Sequence, residues 1–145
     1  MDSARIGKPI AETDRVRVTW RAMYGRISTS LEFLVGDEIT QVAYGWYDVQ
    51  FHFADGANVS VWSEVHHTVG GATDVWKAGS LPDSAGLLSV LGNASGRPPN
   101  PVVRVVPEES GDLVIEFARG DELRLREDPD HEAYSISTKE TLIVV

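Results

Sequence analysis

The sequence predicts a β-rich α+β domain built from two antiparallel meanders. Three features lead to that class: an internal repeat, apolar and polar residues alternating around its turns, and glycines where those turns need them. The repeat sets 48–61 (DVQFHFADGANVSV) over 112–125 (DLVIEFARGDELRL) at an offset of 64 with no gap. Asp48/Asp112, Phe53/Phe117, Ala54/Ala118 and Gly56/Gly120 are identical pairs. Val49/Leu113, Phe51/Ile115, Val59/Leu123 and Val61/Leu125 exchange one apolar residue for another. Upstream, Ile39 and Val42 fall on Val103 and Val106, and downstream His67 falls on His131. Two copies are too few for a solenoid, so the pattern reads as a sheet motif duplicated inside one domain spanning 1–145. Its pseudo-repeats cover about 34–78 and 101–145.

Parity fixes the register of each hairpin. Val49, Phe51 and Phe53 alternate with Gln50 and His52, the period of a half-buried strand, and Val59 and Val61 alternate with Asn58 and Ser60. A two-residue loop at Asp55-Gly56 would set Phe53 opposite Asn58 and Phe51 opposite Ser60, with polar groups on the core face. A three-residue loop, Ala54-Asp55-Gly56, pairs Phe53 with Ala57, Phe51 with Val59 and Val49 with Val61. It also puts Gly56 where such a loop needs a left-handed residue. Ala118-Arg119-Gly120 repeats the arrangement, with Ile115 opposite Leu123 and Leu113 opposite Leu125.

Each hairpin extends into a meander. The stretch 39–44 feeds the first and 102–106 the second. Strand pairs follow at 65–69 and 72–77 around Gly70-Gly71, and at 133–137 and 141–145 around 138–140. In the latter, Ile136 is expected to face Leu142, and Tyr134 to face Val144. Between the halves, Leu87, Leu88, Val90 and Leu91 have helical spacing, with Pro82 and Asp83 before them and Gly92 after, which predicts one short helix near 83–91. The Gly- and Pro-rich stretch 92–101 is a connector. Residues 15–20 read as a weak strand and 1–12 as a mobile arm.

The chain has 145 residues, 42% hydrophobic and 24% charged, the profile of one folded domain rather than a disordered segment. Thirteen basic residues stand against 22 acidic ones, for a net charge of −9. Residues 1–35 carry +2, 36–100 carry −5 and 101–145 carry −6. An acidic surface is a poor match for nucleic acid, whose binding relies on Lys and Arg displacing counterions. The absence of cysteine excludes disulfides, thiol catalysis and thiolate-ligated metals. No apolar run approaches the ~20 residues of a membrane span, and a cytoplasmic protein is expected.

No catalytic, cofactor-binding or metal-binding set emerges. His66 and His67 are adjacent in a strand and point to opposite faces, so regular β structure does not aim both at one ion. The usual metal-ligand spacings are missing. His52 reads as a solvated strand residue. Asp48 and Asp112 each begin a strand after a turn, where Asp commonly accepts local backbone N–H groups. Nucleophile-elbow and phosphate-loop motifs are absent. The chain does not read as an enzyme.

Two segments fit binding. Tyr44, Trp46 and Tyr47 place three aromatics on one strand connection, either capping the open end of the core or forming an interface, where aromatics concentrate binding energy. Glu127, Asp128, Asp130, His131 and Glu132 form an acidic run that is either a solvated turn or a patch that captures a basic protein.

Leu34-Val35-Gly36 before Ile39-Thr40-Gln41-Val42, then Tyr47 through Gly56, and Val59-Ser60-Val61 resemble an uncharacterised bacterial domain family of actinobacterial type. The second half is similar in Gly111-Asp112-Leu113, Phe117, Gly120 and Leu123. Asp130-His131-Glu132-Ala133-Tyr134 resembles a stretch where that family tends to close with an aromatic after Glu-Ala. The resemblance spans roughly 34–145. It implies a duplicated β-hairpin fold and, for small acidic members, an immunity role beside secreted toxins. It carries over no catalytic residue.

Two function classes follow. One is a protein-binding module, most concretely an immunity-type inhibitor whose acidic, aromatic-bearing face covers a basic toxin or effector. The other is a small-ligand-binding β domain, or an enzyme of another type, using a concavity between the sheets.

Overall fold

The computed structural model describes residues 16–19, 31–77, 87, 90–91, 98–138 and 141–144. Eleven strands occur among them: β1 Val16–Thr19, β2 Ile39–Tyr44, β3 Val49–Phe53, β4 Asn58–Val61, β5 Glu64–Val69, β6 Ala72–Lys77, β7 Val102–Pro107, β8 Leu113–Phe117, β9 Glu122–Leu125, β10 Tyr134–Ser137 and β11 Thr141–Val144. They form a six-stranded sheet ordered β1-β11-β10-β4-β3-β2 and a five-stranded sheet ordered β6-β5-β9-β8-β7. All pairings are antiparallel except β1 beside β11, which is parallel.

The hairpin registers follow from side-chain parity. Val49 pairs with Val61 and Phe51 with Val59; Leu113 pairs with Leu125 and Ile115 with Leu123. Both loops have three residues, closed by Phe53 N–H to the Ala57 carbonyl at 2.9 Å and Phe117 N–H to the Asp121 carbonyl at 2.9 Å. Gly56 and Gly120 have φ of 98° and 100°, a region that glycine enters without a Cβ penalty. Phe51, Phe53, Ile115 and Phe117 lie buried in one apolar cluster shared by both sheets.

The meanders do not stay within their own halves. After β2-β3-β4 the chain turns at Trp62-Ser63 and enters the other sheet, where β5 pairs with β9 through Val65 opposite Leu125. After β7-β8-β9 it returns, and β10 pairs with β4 through Tyr134 opposite Val61. Each three-stranded meander thus receives the final hairpin of the other half. Hydrophobic alternation sets the face of a strand and carries no information about its partner, so sequence reading kept these hairpins at home.

Two further expectations change, and a third falls largely outside the described residues. Gln41 and Arg104 follow β-bulges, with Thr40 and Val103 as the inserted residues. Both strands carry the bulge, but the turn 108–112 is one residue longer than the turn 45–48, so Ile39 and Val42 correspond to Val102 and Val105, not to Val103 and Val106. Val102 is buried and Val103 exposed accordingly. In the last hairpin Ile136 pairs with Ile143, Ser137 with Leu142 and Ser135 with Val144, one residue away from the expected register. Tyr134, Ser135 and Ile136 are all buried, and a strand covered on both faces offers no alternation from which to read a register. The helix expected near 83–91 falls largely outside the described residues; Leu87 and Val90 have 3₁₀ backbone and are buried, and Leu91 makes a parallel bridge with Ile39. The other helical element among the described residues is the 3₁₀ turn Glu32–Leu34. The arm 1–12 also lies outside them.

Candidate functional site

One end of the two sheets gathers the binding candidates. Tyr44 pairs with Val49, Val49 with Val61, and Val61 with Tyr134, a row across four strands. The turn 45–48, the corner Trp62-Ser63 and the loop 126–133 therefore leave the six-stranded sheet at the same edge. The corner carries this alignment into the other sheet, where Pro107, Leu113, Leu125, Val65 and Trp76 form the matching row. The aromatic and acidic segments, 80 residues apart in sequence, thus share one face of the molecule.

The aromatics differ in role. Trp46 is 85% exposed and Tyr47 77% exposed on the tight turn closed by Gly45 N–H to the Asp48 carbonyl. Tyr44 packs half-buried on the core, and its burial raises the phenol above its ordinary pKa. Tyr44 is the cap; Trp46 and Tyr47 face solvent. The Asp48 carboxylate accepts from Gln50 Nε2 at 3.0 Å rather than from a backbone amide.

Asp112 anchors the acidic loop. Its Oδ1 accepts Glu127 N–H at 2.9 Å, and its Oδ2 accepts Arg124 Nη1 at 3.1 Å. Arg126 Nε lies 3.1 Å from the same oxygen as an ion pair, with its N–H not aligned for a hydrogen bond. Arg124 also forks onto Glu108, bonding Oε1 through Nη1 and Oε2 through Nη2, which holds the guanidinium more firmly protonated than usual. Sequence reading gave Asp112 a local capping role and passed over these arginines. Their signal was present: Arg124 alternates with the buried Leu123 and Leu125, and Glu108 and Asp112 flank the preceding turn.

Beyond this anchor, Glu127 and Asp128 are partly buried and Asp130, His131 and Glu132 exposed. Asp128 accepts Asp130 N–H at 2.9 Å and lies 3.5 Å from His131; the former contact, ahead of the latter, lowers its carboxyl pKa. A groove of ≈ 350 Å³ runs beside it, lined by Trp62, Ser63, Glu64, Lys77, Arg126, Glu127, Asp128 and Pro129. Glu64 bonds His66 at 2.9 Å and faces Lys77 at 3.7 Å; the His66 bond, with Lys77 and Arg126 nearby, holds its carboxyl below the usual range.

His66 and His67 do face opposite ways. His66 is half-buried against Glu64, whereas His67 is buried and bonds Asp121 at 2.7 Å. His131 is exposed on the loop, and no group of three metal-ligating side chains occurs among the described residues. No described helix is long and apolar enough to cross a membrane.

The segments 44–49, 61–65, 76–77, 107–113 and 124–134, which make this end, hold nine acidic and three basic residues. The arrangement offers large exposed aromatics inside a field of negative sign. Comparison with protein-family models, with curated proteins and with solved structures finds no match to the chain.

Proposed function

We propose that this protein is an acidic protein-binding module, an immunity-type inhibitor that covers a basic toxin or effector with this end. The observation that carries the reading is the exposure of Trp46 and Tyr47 on the same face as the 127–132 loop. Negative charge raises the encounter rate with a basic partner, and aromatics supply desolvated contact that charge alone does not. The loop's anchorage on Asp112, Arg124 and Glu108 limits the ordering it would undergo on binding. Matching turn and bulge geometry in the two halves supports an origin by duplication, with the final hairpins exchanged. A cytoplasmic inhibitor without catalytic residues fits the same reading.

The test is capture from native lysate, or co-expression with the neighbouring gene product, at low and high ionic strength. One basic protein should be retained at low salt by the wild type and lost with Trp46→Ala/Tyr47→Ala. Retention of no protein, alongside turnover of a small molecule abolished by replacing one groove residue, overturns the reading in favour of an enzyme.

A further inference from the structure

The groove beside Trp62 has a chemistry of its own. Trp62 is 37% exposed at the corner between β4 and β5, where its backbone N–H donates to the Ala133 carbonyl at 2.7 Å. Ser63 Oγ donates to the Arg126 carbonyl at 2.5 Å, tying the corner to the start of the acidic loop. The groove walls are therefore held by the same contacts that route the chain between the sheets. Its two cations already face carboxylates: Lys77 stands 3.7 Å from Glu64 and Arg126 3.1 Å from Asp112. Glu127 and Asp128 add two more negative charges to the lining. The groove thus pairs an indole with surplus negative charge, inside an end that is itself strongly acidic.

We propose that this groove receives an arginine side chain of the protein partner, its guanidinium laid on Trp62 and directed at Asp128 and Glu127. The inference rests on the protein-binding reading above and names what the partner must present. Tryptophan is the strongest cation–π acceptor among the side chains. Arginine is the matching cation: it is planar, weakly hydrated, and able to stack while donating in pairs to carboxylates. An anion would meet Glu64, Glu127 and Asp128, with both groove cations already facing carboxylates.

The experiment follows the Trp62 indole N–H by NMR in the full chain, assigned by its loss in Trp62→Phe. The probes are N-acetyl-arginine methylamide, its uncharged citrulline analogue and N-acetyl-glutamate methylamide. The arginine probe should shift the Trp62 signal saturably and the citrulline probe should not. Asp128→Asn, which keeps an acceptor for Asp130 N–H, should weaken binding about five-fold. Equal response to citrulline, or preferential saturation by the glutamate probe, overturns the inference. A captured partner that depends on Trp46 and Tyr47 but not on Asp128 removes the arginine site and leaves the proposed function standing. Loss of all protein capture with the Trp62 response intact does the reverse.

Discussion

Tyr134 Oη donates a 2.6 Å hydrogen bond to the backbone carbonyl of Gly111, joining the first residue of β10 to the turn before β8. The bond crosses from one sheet to the other beneath the acidic loop, and Tyr134 is fully buried. Burial, with Asp112 and Glu127 adding repulsion, raises the phenol well above its ordinary pKa, so it stays a donor. Tyr134→Phe removes the donor and leaves a buried carbonyl unpaired. The loss should be about 1–3 kcal/mol, read as a lowered urea midpoint with unchanged slope. An unchanged midpoint would show that the carbonyl finds water instead.

The turn glycines separate conformational strain from steric exclusion. A Cβ at Gly56 or Gly120 meets nothing within 4 Å, so Gly56→Val and Gly120→Val should each lose about 1–2 kcal/mol from positive φ alone. At Gly111, φ is 102° and a Cβ would stand 2.6 Å from Glu127 Cγ. Gly111→Ala should therefore be more destabilising than Gly56→Ala, because it also displaces the Glu127 side chain. Equal losses in unfolding experiments would remove the steric term.

His67 and Asp121 form a buried polar pair, bonded at 2.7 Å. The matching places in the other sheet, by strand register, are Ile136 and Ala57, both buried. Asp121→Ala alone should lose about 1–3 kcal/mol, since it removes the 2.7 Å bond made by the buried His67 ring. His67→Ile combined with Asp121→Ala should recover most of that loss. A double variant no more stable than the single one would assign the pair a role beyond mutual satisfaction.

Asp37 provides a pH test. Burial, ahead of the Asp55 charge, raises its pKa above 3.8, opposed by N–H groups including those of Glu38 and Asp55. A carboxyl with a raised folded pKa contributes stability that is complete below the unfolded value and lost as pH rises through the folded one. Asp37→Asn removes that titration and keeps an oxygen acceptor. Between about pH 3 and pH 7 the stability difference should move in favour of the variant. Movement the other way would mean that the hydrogen bonds dominate.

Legibility followed the physics of each element. The hairpins around Gly56 and Gly120 were readable because alternation and turn chemistry chose the same register. The bulges at Thr40 and Val103 were hidden, since one inserted residue mimics an ordinary apolar step. The exchange of β5 and β10 between sheets was hidden because partner choice is a tertiary property. At the candidate site, the aromatic and acidic segments were visible as composition. Their meeting at one end, and the Asp112–Arg124–Glu108 anchor under the loop, needed the strand order.

The central claim is that this end is an electrostatically steered protein-binding face. Its most direct measurement is the association rate constant with the captured partner, followed as ionic strength rises. Steered pairs associate at up to ~10⁸–10⁹ M⁻¹s⁻¹ at low salt, against ~10⁵–10⁶ for unsteered ones, and screening removes the difference. The rate should fall at least ten-fold with added salt, and Asp130→Asn/Glu132→Gln should reduce it at low salt while changing dissociation little. A rate indifferent to salt and to those replacements would contradict the account.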